Sequence, residues 1–204
     1  LNSMGADIKG AGTDEITVKG VNELFGTSFT IPADRIEAGT YLVAAAVTNG
    51  SITIDSINPN RLMKVINMIE RSGPKISFDE NSISISMNKD RLDPVDITTA
   101  PFPEFPTDMQ AQFSVINAIS SGVSNIYETV FENRFMHILE LNRMGCDIEV
   151  KGNHAIIKGV ESIYGAEVMA TDLRASASLI LAGLCAKGET CLLYTSPSPR
   201  DLAV

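Results

Sequence analysis

The chain has 204 residues, of which 44% are hydrophobic, so it holds enough apolar material for one large or two small folded domains and too much for a disordered segment. A net charge of −9, with no local basic patch to offset it, excludes general attraction to a nucleic-acid backbone. The longest apolar stretches, residues 41–47 and 175–186, fall short of the roughly 18 residues a membrane-spanning helix needs, and Leu1-Asn2-Ser3-Met4 opens no secretory signal, so a cytoplasmic protein is expected, with neither nucleic acid nor membrane as partner.

In chain order, Leu1-Asn2-Ser3-Met4-Gly5 reads as a helix end, and the alternating strand that follows closes at Lys19-Gly20-Val21. Asp34 stands where a capping carboxylate belongs, ahead of an alanine-rich helical stretch over residues 34–49. Residues 51–57 alternate as a strand, and Leu62, Val65, Ile66 and Ile69 recur at helical spacing. Gly73 supplies a left-handed helix exit, after which Lys75-Ile76-Ser77-Phe78 and Ser82-Ile83-Ser84-Ile85-Ser86-Met87 form a hairpin around Asp79-Glu80-Asn81. The pattern then starts again. A helix is expected over 108–121, a strand over 124–130, a helix over 133–144 and a hairpin across Gly152-Asn153. A third round opens with a strand over 165–169 and a helix behind Asp172.

These rounds are copies of one unit. Leu141-Asn142-Arg143-Met144-Gly145-Cys146-Asp147-Ile148 repeats the opening octapeptide Leu1-Asn2-Ser3-Met4-Gly5-Ala6-Asp7-Ile8, and Ile69-Glu70-Arg71-Ser72-Gly73 fills the same slot between them. Gly5, Gly73 and Gly145 fall 68 and 72 residues apart, and Asp34, Asp108 and Asp172 fall 74 and 64 apart. The fold class is therefore α/β (α+β), built from repeated β-α-β-α-β-β units, with the last one incomplete. A unit of this size cannot bury both faces of its sheet, so the copies must share a core, with either helices or sheets innermost. Cys146, Cys185 and Cys191 are an odd number without metal-ligand spacing and read as reduced thiols. His137 and His154 have no cysteine or carboxylate at zinc-binding spacing and read as structural, so neither metal nor cofactor is expected.

Three segments carry a family resemblance: Pro101-Phe102-Pro103-Glu104-Phe105-Pro106-Thr107-Asp108-Met109-Gln110-Ala111-Gln112, Glu128-Thr129-Val130-Phe131-Glu132-Asn133-Arg134-Phe135-Met136-His137, and Ala170-Thr171-Asp172-Leu173-Arg174-Ala175-Ser176-Ala177-Ser178-Leu179. Through them the chain, over residues 1–191, resembles the UDP-N-acetylglucosamine enolpyruvyl transferases (1-carboxyvinyltransferases). The resemblance implies two domains of three units each around a cleft. Residues 1–33 would end the first domain and 34–191 would supply most of the second. It also implies transfer of the enolpyruvyl group of phosphoenolpyruvate to the 3-hydroxyl of UDP-N-acetylglucosamine in peptidoglycan precursor synthesis, an activity tied to cell shape and cell division. That reaction needs a base at the sugar hydroxyl and cations at phosphate.

By the same resemblance Asp108 is the base and a substrate contact, against the alternative of a helix cap and nothing more. Val130 and Phe131, at a strand end, would touch the nucleotide sugar, Val130 through its backbone; the alternative is core packing. Arg134 would brace the site carboxylates or meet substrate oxygens, or else form a surface ion pair. Asp172 and Arg174 would line the closed cleft, and Arg35 would be a cleft or hinge residue or purely structural. The family's Lys-Asn pair for phosphoenolpyruvate and its loop cysteine with an arginine would precede residue 1. A further phosphate-binding arginine, in an Asp-Arg-Gly-Tyr-Glu context, is replaced by Leu192-Leu193-Tyr194-Thr195-Ser196-Pro197-Ser198-Pro199-Arg200-Asp201, which reads like translated sequencing-adapter text. Residues 192–204 are thus expected to be a non-native tail outside the fold, and the chain an internal fragment inactive alone. Another enolpyruvyl transferase, such as an enolpyruvylshikimate-phosphate synthase, and a non-catalytic UDP-sugar-binding repeat domain are the alternatives.

Overall fold

The computed structural model describes residues 1–170 and 172–194, which divide into two compact units, residues 1–32 and residue 33 onward. In the first unit a 3-10 turn, Asn2–Met4, leads through Gly5 into an antiparallel pair, β1 (Asp7–Lys9) and β2 (Thr17–Lys19). The Asn2 side chain brackets Ile8, accepting its N–H at 3.0 Å and donating to its carbonyl at 2.8 Å. Asn142 brackets Ile148 in the same way, at 3.1 and 2.9 Å. This is the physical content of the repeated Leu-Asn-x-Met-Gly signature: the amide ties the helix end to the strand across the glycine. Gly5, Gly73 and Gly145 have φ of 96°, 122° and 93°, a region where any side chain other than glycine's strains the backbone.

The second unit runs α1 (Arg35–Val47), β3 (Ser51–Asp55), α2 (Met63–Arg71), β4 (Lys75–Phe78), β5 (Ser82–Ser86), β6 (Ile97–Thr98), α3 (Gln110–Ala118), β7 (Val123–Tyr127), α4 (Met136–Arg143), β8 (Asp147–Lys151), β9 (His154–Lys158), β10 (Glu167–Ala170), α5 (Leu173–Cys185) and β11 (Cys191–Tyr194). The sheets are β3-β5-β4, β6-β7-β9-β8 and the parallel pair β10-β11. The middle repeat is β-α-β-α-β-β in full. Its predecessor lacks the opening strand: residues 20–34, punctuated by Gly20, Gly26 and Pro32, form none, which corrects the reading of every unit as complete at its start. The helices α1, α3 and α5 pack on one another, and α3 is buried over its whole length, so helices are innermost and sheets face outward.

Several boundaries shift for local reasons. The strand begun at Ser51 stops at Asp55 because Ser56 sits at φ 62°, and the helix expected from 133 starts at Met136 because Asn133 sits at φ 59°. Leu192–Tyr194 belong to β11, paired with Val168–Ala170, so the tail expected to leave the fold at 192 is part of a sheet up to 194; the rest of it, residues 195–204, lies outside the described residues. Burial pushes the Cys146 thiol up to about 12 and Cys185 to about 11, so both pack as neutral apolar groups. Among the described residues no group of side chains suits a metal ion, and no helix is long and apolar enough to cross a membrane.

The three aspartates of the repeat diverge. Asp34 accepts the backbone N–H groups of Ile36 and Glu37, and Asp172 those of Arg174 and Ala175, so each is a true N-cap. Among the described residues Asp108 accepts no backbone N–H and so caps no helix. It lies inside the 3-10 turn Thr107–Met109, for which Pro106 is the cap residue, and its carboxylate is turned elsewhere. Asp34→Ala is expected to cost about 1 kcal/mol in urea unfolding, the usual loss for an N-cap; unchanged stability would contradict the capping role.

Candidate active site

The site grows from the end of β7, where the chain leaves the sheet and turns the Glu128 side chain inward. Glu128, 3% exposed, follows Tyr127 and is pinned by hydrogen bonds on both sides of its backbone, its N–H to the Asn153 carbonyl at 2.8 Å and its own carbonyl from Asn153 Nδ2 at 3.1 Å. Its carboxylate gathers four donors. Oε1 accepts Thr99 Oγ1 at 2.6 Å and the N–H groups of Val130 and Phe131 at 2.9 and 3.0 Å, while Oε2 accepts Thr107 Oγ1 at 2.7 Å. Burial works against the charge, but these hydrogen bonds outweigh it and hold the carboxyl below the ordinary glutamate range.

Thr107 hands the arrangement on. Its hydroxyl proton is given to Glu128, so its oxygen accepts Arg134 Nη1 at 2.9 Å. The other amino group of the same guanidinium, Nη2, reaches Asp108 Oδ1 at 2.8 Å, and Arg174 Nη2 reaches Oδ2 at 3.3 Å. Asp108 is thus gripped between two cations with one oxygen assigned to each, and its side chain is 37% exposed. An oriented carboxylate with lone pairs left over and an open side can accept a proton, and the two guanidiniums supply positive charge beside it. Arg134 also lies 5.2 Å from the Phe131 ring centroid, within cation–π range.

Of the residues singled out from sequence, Asp108, Arg134 and Arg174 meet directly. Val130 and Phe131 lie beside them in the 128–133 loop, past the strand end rather than in it; at 45% and 58% exposure they are not core residues, and their backbone N–H groups are already given to Glu128. The loop borders a groove of about 560 Å³ completed by Gly152 and Asn153. Asp172 stands at the start of α5, two residues before Arg174, with its carboxylate committed to the cap. Arg35 stands apart at the start of α1, its guanidinium 5.4 Å from the Phe102 ring centroid. Thr99, Thr107 and Glu128 were not foreseen. Thr107 and Glu128 sit inside the quoted motifs, but no spacing rule tells Glu128 from Glu132 as the glutamate that turns inward.

Comparison with known proteins agrees with this architecture. A family profile described as EPSP synthase (3-phosphoshikimate 1-carboxyvinyltransferase) matches residues 1–195. Over 190 residues, 93% of this chain, it is 54% identical to the UDP-N-acetylglucosamine 1-carboxyvinyltransferase of Hydrogenovibrio crunogenus and 55% identical to that of Haemophilus ducreyi, covering 46% and 45% of their lengths. The chain therefore spans about half the length of the curated relatives it matches. Among solved structures, the enolpyruvyl transferase NikO from Streptomyces tendae superposes with a TM-score of 0.79 at 26% identity, over 94% of this chain and 46% of that one. An EPSP synthase from Acinetobacter baumannii superposes with a TM-score of 0.66 at 17% identity, over 83% of this chain and 40% of that one, which is a likeness of fold. The chain belongs to the EPSP synthase (3-phosphoshikimate 1-carboxyvinyltransferase) family.

Proposed function

We propose that the full-length protein carrying this segment transfers the enolpyruvyl group of phosphoenolpyruvate to the 3-hydroxyl of UDP-N-acetylglucosamine, with Asp108 as the base that takes the hydroxyl proton. The observation that carries this reading is the half-open Asp108 carboxylate held between Arg134 and Arg174. As the sugar oxygen bonds to C2 of phosphoenolpyruvate, its proton passes to Asp108, and C3 takes a proton from an acid supplied by the rest of the full-length protein to become a methyl group. Loss of a methyl proton then expels phosphate and leaves the enol ether. The guanidiniums steady the charge of a carboxylate that gains and loses a proton beside an anionic substrate. Val130 and Phe131 border the nucleotide-sugar side, Asp172 and Arg174 the closing side, and Arg35 the hinge; the reaction so drawn uses no cofactor.

The choice of acceptor is supported by the names of the relatives at 54–55% identity, against a likeness of fold alone to the EPSP synthase structure. On this reading residues 1–33 end one domain, 34–191 form most of the other, residues 196–204, past the end of the family match, are foreign to it, and the protein works in the cytoplasm on peptidoglycan precursors for cell-wall growth, cell shape and division. The test is phosphate release by the full-length protein. Release with UDP-N-acetylglucosamine and none with shikimate 3-phosphate is expected; the opposite preference would overturn the acceptor, and this chain alone should release none.

A further inference from the structure

We propose that Glu128 is a positioning residue for the base, aiming Asp108 through Thr107 and Arg134, so that one buried carboxylate fixes both the 128–133 loop and the direction of the carboxylate at the reaction centre. The inference rests on the reading of Asp108 as base.

The direction of each hydrogen bond makes the chain of contacts mechanical. Glu128 is ionised and can only accept. Thr107 has a single hydroxyl proton, and with it given to Oε2 the hydroxyl oxygen must accept from Arg134. Arg134 is a rigid planar fork, so fixing Nη1 on Thr107 fixes the place of Nη2, which carries Asp108 Oδ1. Glu128 itself has little room to turn, because Oε1 already holds three donors from two separate segments, Thr99 after β6 and Val130 and Phe131 in the loop. The hydrogen bonds that hold its carboxyl below the ordinary range are the same ones that anchor this geometry. Surface arginines rarely hold one orientation, since ordering a long side chain costs rotamer entropy; here the buried anchor bears that cost in advance of substrate.

Two substitutions cut the relay at different points. Thr107→Val keeps the shape and leaves the three other donors of Glu128 in place, but removes the oxygen on which Arg134 rests. In Glu128→Gln the amide oxygen stays on Val130, Phe131 and Thr99, which all donate, so the amide NH₂ faces Thr107 and the hydroxyl proton loses its acceptor. In the full-length protein both variants are expected to lower kcat about 10- to 100-fold, the scale of a misaimed catalytic group, with KM for the nucleotide sugar little changed. Thr107→Ser, which restores the oxygen, should recover most of what Thr107→Val loses. The separate readout is guanidinium NMR: the Nη protons of Arg134 should be resolved in the wild-type protein and averaged in Thr107→Val and Glu128→Gln. Resolved Arg134 signals with kcat within about twofold in both variants, far less than a misaimed group costs, would overturn the proposal. A wild-type protein that releases no phosphate with UDP-N-acetylglucosamine would instead overturn the proposed function, while the NMR comparison would still decide whether Glu128 sets Arg134.

Discussion

Asp108→Asn in the full-length protein is expected to lower kcat by about 10²- to 10⁴-fold, the range associated with losing a positioned general base. Asparagine keeps the size and planarity of the side chain, so binding and fold should survive. The amide cannot take a proton, and its NH₂ must point at one of the two guanidiniums that now grip carboxylate oxygens. Asp34→Asn is the control, for Asp34 holds the same place in the preceding repeat but accepts only backbone N–H groups, a task asparagine performs equally well. Steady-state phosphate release in both variants separates the cases. Wild-type turnover in Asp108→Asn would remove Asp108 from the mechanism.

The contrast among Asp34, Asp108 and Asp172 also marks how far the sequence could be read. The repeat, its left-handed glycines and its hairpins were legible because each depends on contacts a few residues apart: Gly73 must turn left where a helix meets a strand, and residues 82–87 alternate because one face is buried. The three aspartates looked alike at that range. What sets Asp108 apart is contact with Arg134 and Arg174, 26 and 66 residues away, which no local period encodes. The motif resemblance did bring Asp108, Arg134 and Arg174 forward together, and the geometry gathers all three. It gave no weight to Thr107 or Glu128, whose role is to hold other side chains. The alternating pattern ran the strand through Val130 with Phe131 at its end, whereas Glu128, accepting the N–H groups of Val130 and Phe131, holds the chain out of the sheet after Tyr127. Arg35 had only its place near a domain crossing to recommend it, and its one aromatic contact, with the Phe102 ring, could not be read from that place.

Acidification should destabilise the protein through a single buried imidazole behind this site. His137 is 2% exposed, with Nε2 3.2 Å from Ser114 Oγ, a hydroxyl that also lies 3.2 Å from the Gln110 carbonyl. Burial drives the pKa from the ordinary 6.5 down to about 4, the charge of Asp172 pulling it back and that of Arg134 pushing the same way as burial. The folded protein thus refuses a proton that the unfolded chain accepts, so stability is full above 6.5 and falls as pH drops from there towards 4. A shift of this size corresponds to about 3 kcal/mol in total, most of it lost before pH 4.5. Glu128 contributes in the same direction, but its carboxyl sits below the ordinary 4.5, so its share is lost only at lower pH and the window from 6.5 to 4.5 belongs to His137. Urea unfolding at pH 7 and pH 4.5 should therefore show a drop of roughly 2 to 3 kcal/mol in the wild type that is largely absent in His137→Gln, which keeps a hydrogen-bonding group for Ser114 without a titrating ring. Equal pH dependence in the two proteins would mean that the imidazole takes up its proton in the folded state, and that the packing around His137 opens far more readily than its burial implies.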